Sequence, residues 1–192
     1  MTGPAHSKLS HPSSGRPFDV LSQAEVGRKG QFAVRDDLIK LPSGEEVPYV
    51  VVVNPDSVLV VPHFENGDTV LVRQWRHAWN ASSWEVPAGT LARGEDPAEG
   101  ALRELEEEAG LRAEKLSSLG SAHGAAILTG TAHLFLAEGL SETARNLEPY
   151  EQDMEVQRLP LIEALEAGLA GEIAHSGSIT ALARAARALR LL

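Results

Sequence analysis

Apolar residues in this chain recur with two different periods, and the changes of period divide it into elements. From Phe18 onward, alternation at every second residue predicts strands over 20–28, 31–41 and 47–53, with Pro42, Ser43 and Gly44 turning the chain between the last two. Further strands are expected over 57–64 and 69–76, joined by Glu65-Asn66-Gly67-Asp68, whose Asn-Gly step is a hairpin signal. Trp84-Glu85-Val86 leads into Pro87-Ala88-Gly89, and more strands are expected over 116–121, 133–137 and 155–159. Helices follow over 161–167 and 178–191. The second carries Ile179, Leu182, Ala186 and Leu189 on one face, with Arg184, Arg187 and Arg190 on another as a solvated basic stripe.

A third helix is written most clearly of all. Asp96 has the short acceptor side chain of an N-cap, Pro97 suits the first helical position, and Glu99 stands in the capping-box position. Ala98, Ala101, Leu102, Leu105 and Ala109 form one apolar stripe, and Gly110 is placed to end the helix in a left-handed cap. Glu104 and Glu108 fall together at a border of that stripe, with Glu107 beside them and Arg103 one turn below Glu107. Like charges four residues apart cost a helix roughly 0.2–0.5 kcal/mol, and partial burial raises the cost of ionising them. A divalent cation removes the conflict, and carboxylates alone suit a hard ion, magnesium or manganese, that also binds phosphates. The competing reading is a solvated acidic face, which Glu99 and Glu106 fit.

The flanking segments set domain limits. Residues 1–17 are rich in Ser, Pro and Gly and are expected to be a disordered tail, in which His6 and His11 make a weak metal pair. Residues 18–55 read as a β arm too small to bury a core alone, and 56–192 as the main domain. With no cysteine, disulfides, thiolate zinc sites and a cysteine nucleophile are excluded. The net charge of −10 argues against a nucleic-acid-binding surface. No long apolar run or signal-like start is present, so the expected location is the cytoplasm, away from membranes.

The run from Gly89 to Leu111 resembles the signature of the Nudix hydrolases: Gly89, five residues, Glu95, seven residues, then Arg103, Glu104, Leu105, Glu107, Glu108, Gly110 and Leu111, all in register. The resemblance implies an α/β fold, the Nudix α/β/α sandwich with a mixed sheet, here preceded by a small N-terminal antiparallel β-domain. The preceding strands, and the phrases Val72-Arg73-Gln74-Trp75-Arg76 and Trp84-Glu85-Val86-Pro87-Ala88-Gly89, are similar to the ADP-ribose pyrophosphatase branch, whose β-domain exchanges across a homodimer.

By this resemblance Glu104 and Glu108 are the main magnesium ligands, Glu107 shares the cluster, and the Ala88 carbonyl completes it. Arg103 orients the acids through Glu107, Glu95 braces the loop, and Arg76, with Arg73 as a weaker candidate, holds a phosphate or ribose unless it serves only in a salt bridge. Phe32 or Tyr49 could stack on a base, although an aromatic in an alternating strand is more often core or interface.

The chain also departs from that branch. Its Ser-Pro-Gly-Phe-like marker is absent from Gly124-Ala125-Ala126-Ile127-Leu128-Thr129-Gly130, and a substrate-contacting Arg is replaced within Tyr49-Val50-Val51-Val52. The late-loop acid that serves the branch as general base falls near Gln152, which cannot take a proton, so Glu151 is the best replacement, ahead of Glu148, Asp153 and Glu155. The remaining histidines, including His77, His123, His133 and His175, stand singly and read as structural or surface residues.

The function so implied is magnesium-dependent hydrolysis of the diphosphate of a small nucleoside diphosphate sugar, ADP-ribose foremost, giving AMP and ribose 5-phosphate. The alternatives are another nucleoside diphosphate derivative or dinucleotide, or a binding module that senses a nucleotide sugar without turnover.

Overall fold

The computed structural model describes residues 15–147 and 151–192. The proposed tail, its two histidines and Glu148 therefore lie wholly or mostly outside the described residues. Three strands, β1 (Asp19–Lys29), β2 (Phe32–Lys40) and β3 (Glu46–Val53), pair antiparallel into a sheet of their own. The turn before β3 closes through Gly44 N–H donating to the Leu41 carbonyl (2.8 Å).

The main body is built from β4 (Ser57–Pro62), β5 (Asp68–Arg76), β6 (Ala81–Glu85), β7 (Ala88–Thr90), α1 (Pro97–Ala109), β8 (Leu111–His123), β9 (Thr131–Glu142), β10 (Glu155–Pro160), α2 (Leu161–Ala170) and α3 (Ser176–Ala188). One sheet runs β7-β4-β9-β8 with β4 and β9 parallel, and the other runs β10-β5-β6, all antiparallel.

The two-residue period of the central strands sets the layers. Val58, Val60, Phe135 and Ala137 pack with Ala101 and Leu105 of α1, whereas Leu59, Val61, Leu134 and Leu136 pack with Leu161 and Leu165 of α2 and Leu182 of α3. Both faces of β4 and β9 are thus covered by helices, which explains why they read as near-continuous apolar runs. This is the α/β/α sandwich with a mixed sheet, with the N-terminal antiparallel sheet beside it.

Three features depart from the sequence reading. The Asn-Gly step makes a turn but no hairpin: Gly67 N–H donates to the Phe64 carbonyl (2.9 Å), yet β4 pairs with β7 and β9 while β5 pairs with β6 and β10. Both edges of each strand are already taken, so the two splay into different sheets. Strands β8 and β9 run well beyond their apolar middles because their polar ends pair with each other, from Leu111 opposite Glu142 to His123 opposite Thr131. Leu102 faces solvent; the inner face of α1 is instead Ala101, Glu104, Leu105 and Glu108.

The N-terminal sheet is clipped to the main body through the end of β3, and the Gln31 side chain, in the turn between β1 and β2, adds a longer hydrogen bond to the Leu91 carbonyl (3.4 Å). Val52 N–H donates to the Ile127 carbonyl (2.8 Å) and Thr129 N–H to the Val52 carbonyl (3.1 Å), and the Asn54 side chain accepts from Gly130 N–H (2.9 Å). The loop 124–130 is therefore held between β3 and the sandwich.

Candidate active site

Helix α1 begins and ends as its sequence dictates. The Asp96 carboxylate accepts from Ala98 N–H (2.8 Å) and Glu99 N–H (3.3 Å), Pro97 follows, and Gly110 closes the last turn at φ 65°, a conformation that glycine adopts without strain. With both ends fixed, the wheel turns Glu104 and Glu108 inward until they are 7% and 1% exposed. They are far more buried than a half-exposed border would be.

Strand β7 lies across them. Ala88 N–H donates to Glu108 Oε2 (2.8 Å), and Gln74 Nε2 stands 3.5 Å from Glu108 Oε1. Gly89 is packed so tightly that a Cβ there would lie 1.8 Å from Glu104 Oε1. No larger residue fits without moving the Glu104 carboxylate.

Arg103 is the hub on the outer side. Its Nε donates to Glu95 Oε1 (2.9 Å), and its Nη1 donates to Glu104 Oε1 (2.7 Å) and Glu107 Oε2 (2.9 Å). Glu95 in turn accepts from Ala92 N–H (2.7 Å), which fixes the loop entering α1. One guanidinium thus ties three carboxylates and a loop, a use of its planar fork that an ammonium could not duplicate.

The electrostatics follow from this packing. Burial pushes the Glu108 carboxyl well above its ordinary range, and nearby Glu104 and Glu151 add to the push against the Ala88 N–H and Arg76. Burial likewise raises Glu104, with Arg103 offsetting part of it and Glu107 and Glu151 opposing Arg103. Glu151 therefore lies within electrostatic reach of both buried acids and of Arg76. A group of carboxylates held this reluctantly gains from a hard cation, and the all-oxygen donor set fits one. As arranged here, Arg103 engages Glu104 and Glu107, and among the described residues no group of three or more His, Cys, Asp or Glu is gathered in metal-ligand geometry.

Above β7 opens a cleft of about 300 Å³, bordered by Ala88 and Gly89 on the acidic side and by Arg76, Asn54, Leu128 and His175 elsewhere. Arg76 makes a two-pronged pair with Glu85, Nε to Oε1 (2.8 Å) and Nη2 to Oε2 (2.6 Å). Glu85 is 0% exposed. His175 Nδ1 lies 2.9 Å from Glu85 Oε2 and 2.9 Å from Ser178 Oγ, and Val86 N–H donates to that same Ser178 Oγ (3.0 Å). An ionised carboxylate only accepts, so His175 carries its proton on Nδ1 and turns Nε2 the other way. Burial pushes the Glu85 carboxyl up, but the hydrogen bonds from Arg76 and His175 outweigh it and leave it below its ordinary value.

Arg73, one position out of phase with Gln74 and Arg76 on β5, points away from the cleft and pairs with Glu155 at 2.7 Å. Phe32 and Tyr49, 53% and 40% exposed, sit on the N-terminal sheet and do not line the cleft. Sequence reasoning passed over Glu85, Gln74, Asn54 and the His175–Ser178 pair. A lone acid inside the apolar phrase Trp84-Glu85-Val86 was the available signal, because a buried carboxylate requires a partner.

A family model for the NUDIX domain matches residues 53–175. The chain belongs to the Nudix family. It is 35% identical over 167 residues to an ADP-ribose pyrophosphatase of Mycobacterium tuberculosis, covering 84% of this chain and 80% of that one. It is 37% identical over 143 residues to a methanol dehydrogenase activator of Bacillus methanolicus, covering 73% and 76%. A solved structure of an ADP compounds hydrolase superposes with a TM-score of 0.79 at 22% identity, covering 93% of this chain and 97% of that one, which shows the shared fold. As a Nudix pyrophosphohydrolase family enzyme, the chain has its signature helix under the cleft. Among the described residues no helix is long and apolar enough to cross a membrane.

Two outcomes are expected of this geometry. Gly89→Ala displaces the Glu104 carboxylate, the movable end of a side chain, so the melting temperature should fall by less than about 4 °C while metal-dependent turnover falls about a hundredfold. Equal turnover would show that the close approach has no catalytic meaning. Glu85→Gln leaves Arg76 facing a neutral group, for a loss of about 2–3 kcal/mol in urea denaturation near neutral pH, at or below the low end for a buried pair because Arg76 is partly exposed. Because the folded pKa of Glu85 is lowered, its contribution is present above the unfolded carboxylate value of about 4.3 and disappears as pH falls through the lower folded value. The wild type should therefore lose stability more steeply than Glu85→Gln as pH drops from the unfolded carboxylate value of about 4.3 toward and through the lower folded value, with no further difference in slope below it.

Proposed function

We propose that this Nudix enzyme hydrolyses the diphosphate of a nucleoside diphosphate sugar, with ADP-ribose and water giving AMP and ribose 5-phosphate. The observation that carries the reading is the pair of buried carboxylates, Glu104 and Glu108, held above their ordinary pKa beneath a cleft that also presents Arg76. The names of relatives such as the mycobacterial ADP-ribose pyrophosphatase support the substrate. The loop 124–130 along one wall lacks the marker of that branch, which favours a second reading, another nucleoside diphosphate derivative or a dinucleotide.

Glu104, Glu107 and Glu108, with the Ala88 carbonyl, would hold magnesium, or manganese in its place. Such an ion supplies charge neutralisation at the phosphoanhydride oxygens and lowers the pKa of a water. The protein's own residues do the rest. Arg103 holds Glu104 and Glu107 in place, Ala88 N–H fixes Glu108, and Arg76 presents its remaining donor surface to a phosphate while Glu85 fixes its plane. Glu151 takes the proton of the attacking water.

A screen of ADP-ribose, other sugar nucleotides, dinucleotides and nucleoside triphosphates, with and without magnesium, tests this beside Glu108→Gln. ADP-ribose should be the best substrate, turnover should require the metal, and Glu108→Gln should lose at least about a hundredfold. Turnover that survives the substitution would remove the metal role, and absence of hydrolysis with every diphosphate would favour a sensor without turnover.

The same reading includes a homodimer joined through the N-terminal strands. Leu21, Val26, Phe32, Val34, Tyr49 and Val50 leave that sheet's apolar side chains in solvent, a surface that association would cover. Light scattering after size exclusion should give twice the chain mass of 20.5 kDa, and a monomer would overturn the dimer alone.

A further inference from the structure

Helix α1 has no basic residue in its last turn, yet the carbonyls of Glu107, Glu108 and Gly110 at its end are engaged by another segment. Thr143 N–H donates to the Gly110 carbonyl (2.8 Å) and Asn146 N–H to the Glu107 carbonyl (3.2 Å). Between them Arg145 Nε donates to the Glu108 carbonyl at 2.7 Å. The segment 143–146 thus supplies from outside both the hydrogen bonds and the cation that a helix C-terminus favours.

The same guanidinium has a second task. Its Nη2 donates to the Met154 carbonyl at 3.1 Å, and Met154, itself buried, donates from its N–H to the Glu151 carbonyl at 2.9 Å. Arg145 therefore spans the backbone of Glu108, a buried acid of α1, and the backbone of the turn that carries Glu151. The Glu151 carboxylate lies in the field of Glu104, Glu108 and Arg76, so this bridge connects the two halves of the acidic site through main-chain atoms.

We infer that Arg145 is a positioning residue that registers the Glu151 turn against the C-terminal end of α1. The inference rests on the proposed role of Glu151 as the group that takes the proton of water. A guanidinium meets both carbonyls with one rigid plane, whereas an ammonium restores the charge at the helix end but not the two-directional span.

A double-mutant cycle tests it with the full chain, ADP-ribose and magnesium, or with whichever screened diphosphate the wild type hydrolyses. Arg145→Gln should lower kcat by about ten- to a hundredfold with KM changed less than about twofold, the scale of lost positioning around a site. In a Glu151→Gln background the same substitution should cost less than about twofold, because the group it positions is already disabled. Arg145→Lys should behave like Arg145→Gln, and it carries the test if the Gln variant fails to fold. Equal losses in both backgrounds, full activity in Arg145→Lys, or no loss in Arg145→Gln would each overturn the inference. If Glu151→Gln alone leaves kcat unchanged, the general-base reading has failed first. An impaired Glu151→Gln with additive losses leaves that reading standing and removes only the role of Arg145.

Discussion

Burial of two carboxylates on one face of a single helix is the constraint around which the rest of the site is arranged. Glu104 and Glu108 are one turn apart on α1 and both withdrawn from water; burial raises the cost of ionising each, and Glu104 adds to the cost for Glu108. A fold selected for stability alone would place Leu or Ala there. Four neighbours instead offset part of the conflict, which Glu107 and Glu151 deepen: Arg103 on the outer side, the Ala88 N–H from β7, Gln74 from β5 and the more distant charge of Arg76. A hard divalent cation completes that list chemically, and the Nudix family typically uses such ions.

The sandwich supplies the geometry. Because β4 and β9 are covered on both faces, the sheet offers its end to the cleft, and the short strand β7 hangs from β4 to lie over α1. The opposite wall comes from α3 and from the loop pinned to β3, so the cleft joins parts of the chain remote in sequence.

Local chemistry made the signature helix readable. Its cap, first-turn proline and terminal glycine each act within a few residues, so a one-dimensional pattern suffices for the bounds of α1 and for the clustering of its acids. The central strands were readable for the same reason. What depended on pairing was not: the Asn-Gly turn marks a reversal, but whether its strands pair is decided by β9 and β10, more than sixty residues away. Leu102 fits the apolar stripe by period yet faces solvent, because the burying surface is wide enough only for its neighbours and is partly given over to Glu104 and Glu108. Arg76 and the weaker candidate Arg73 share one phrase, and the pleat separates the one in the cleft from the one paired with Glu155. His175 reads as solitary until α3 docks it on Glu85.

That docking has a bearing on how the protein is made. Val86 and Glu85 find their partners in Ser178 and His175, about ninety residues later. Until α3 has left the ribosome and settled on the sheet, Glu85 can reach Arg76 but not His175, and the Val86 amide stays open to water. One wall of the cleft thus comes from a helix about ninety residues further along the chain than the strand end it covers, so a product cut short before that helix exposes an open, hydrated notch where the folded enzyme has a wall.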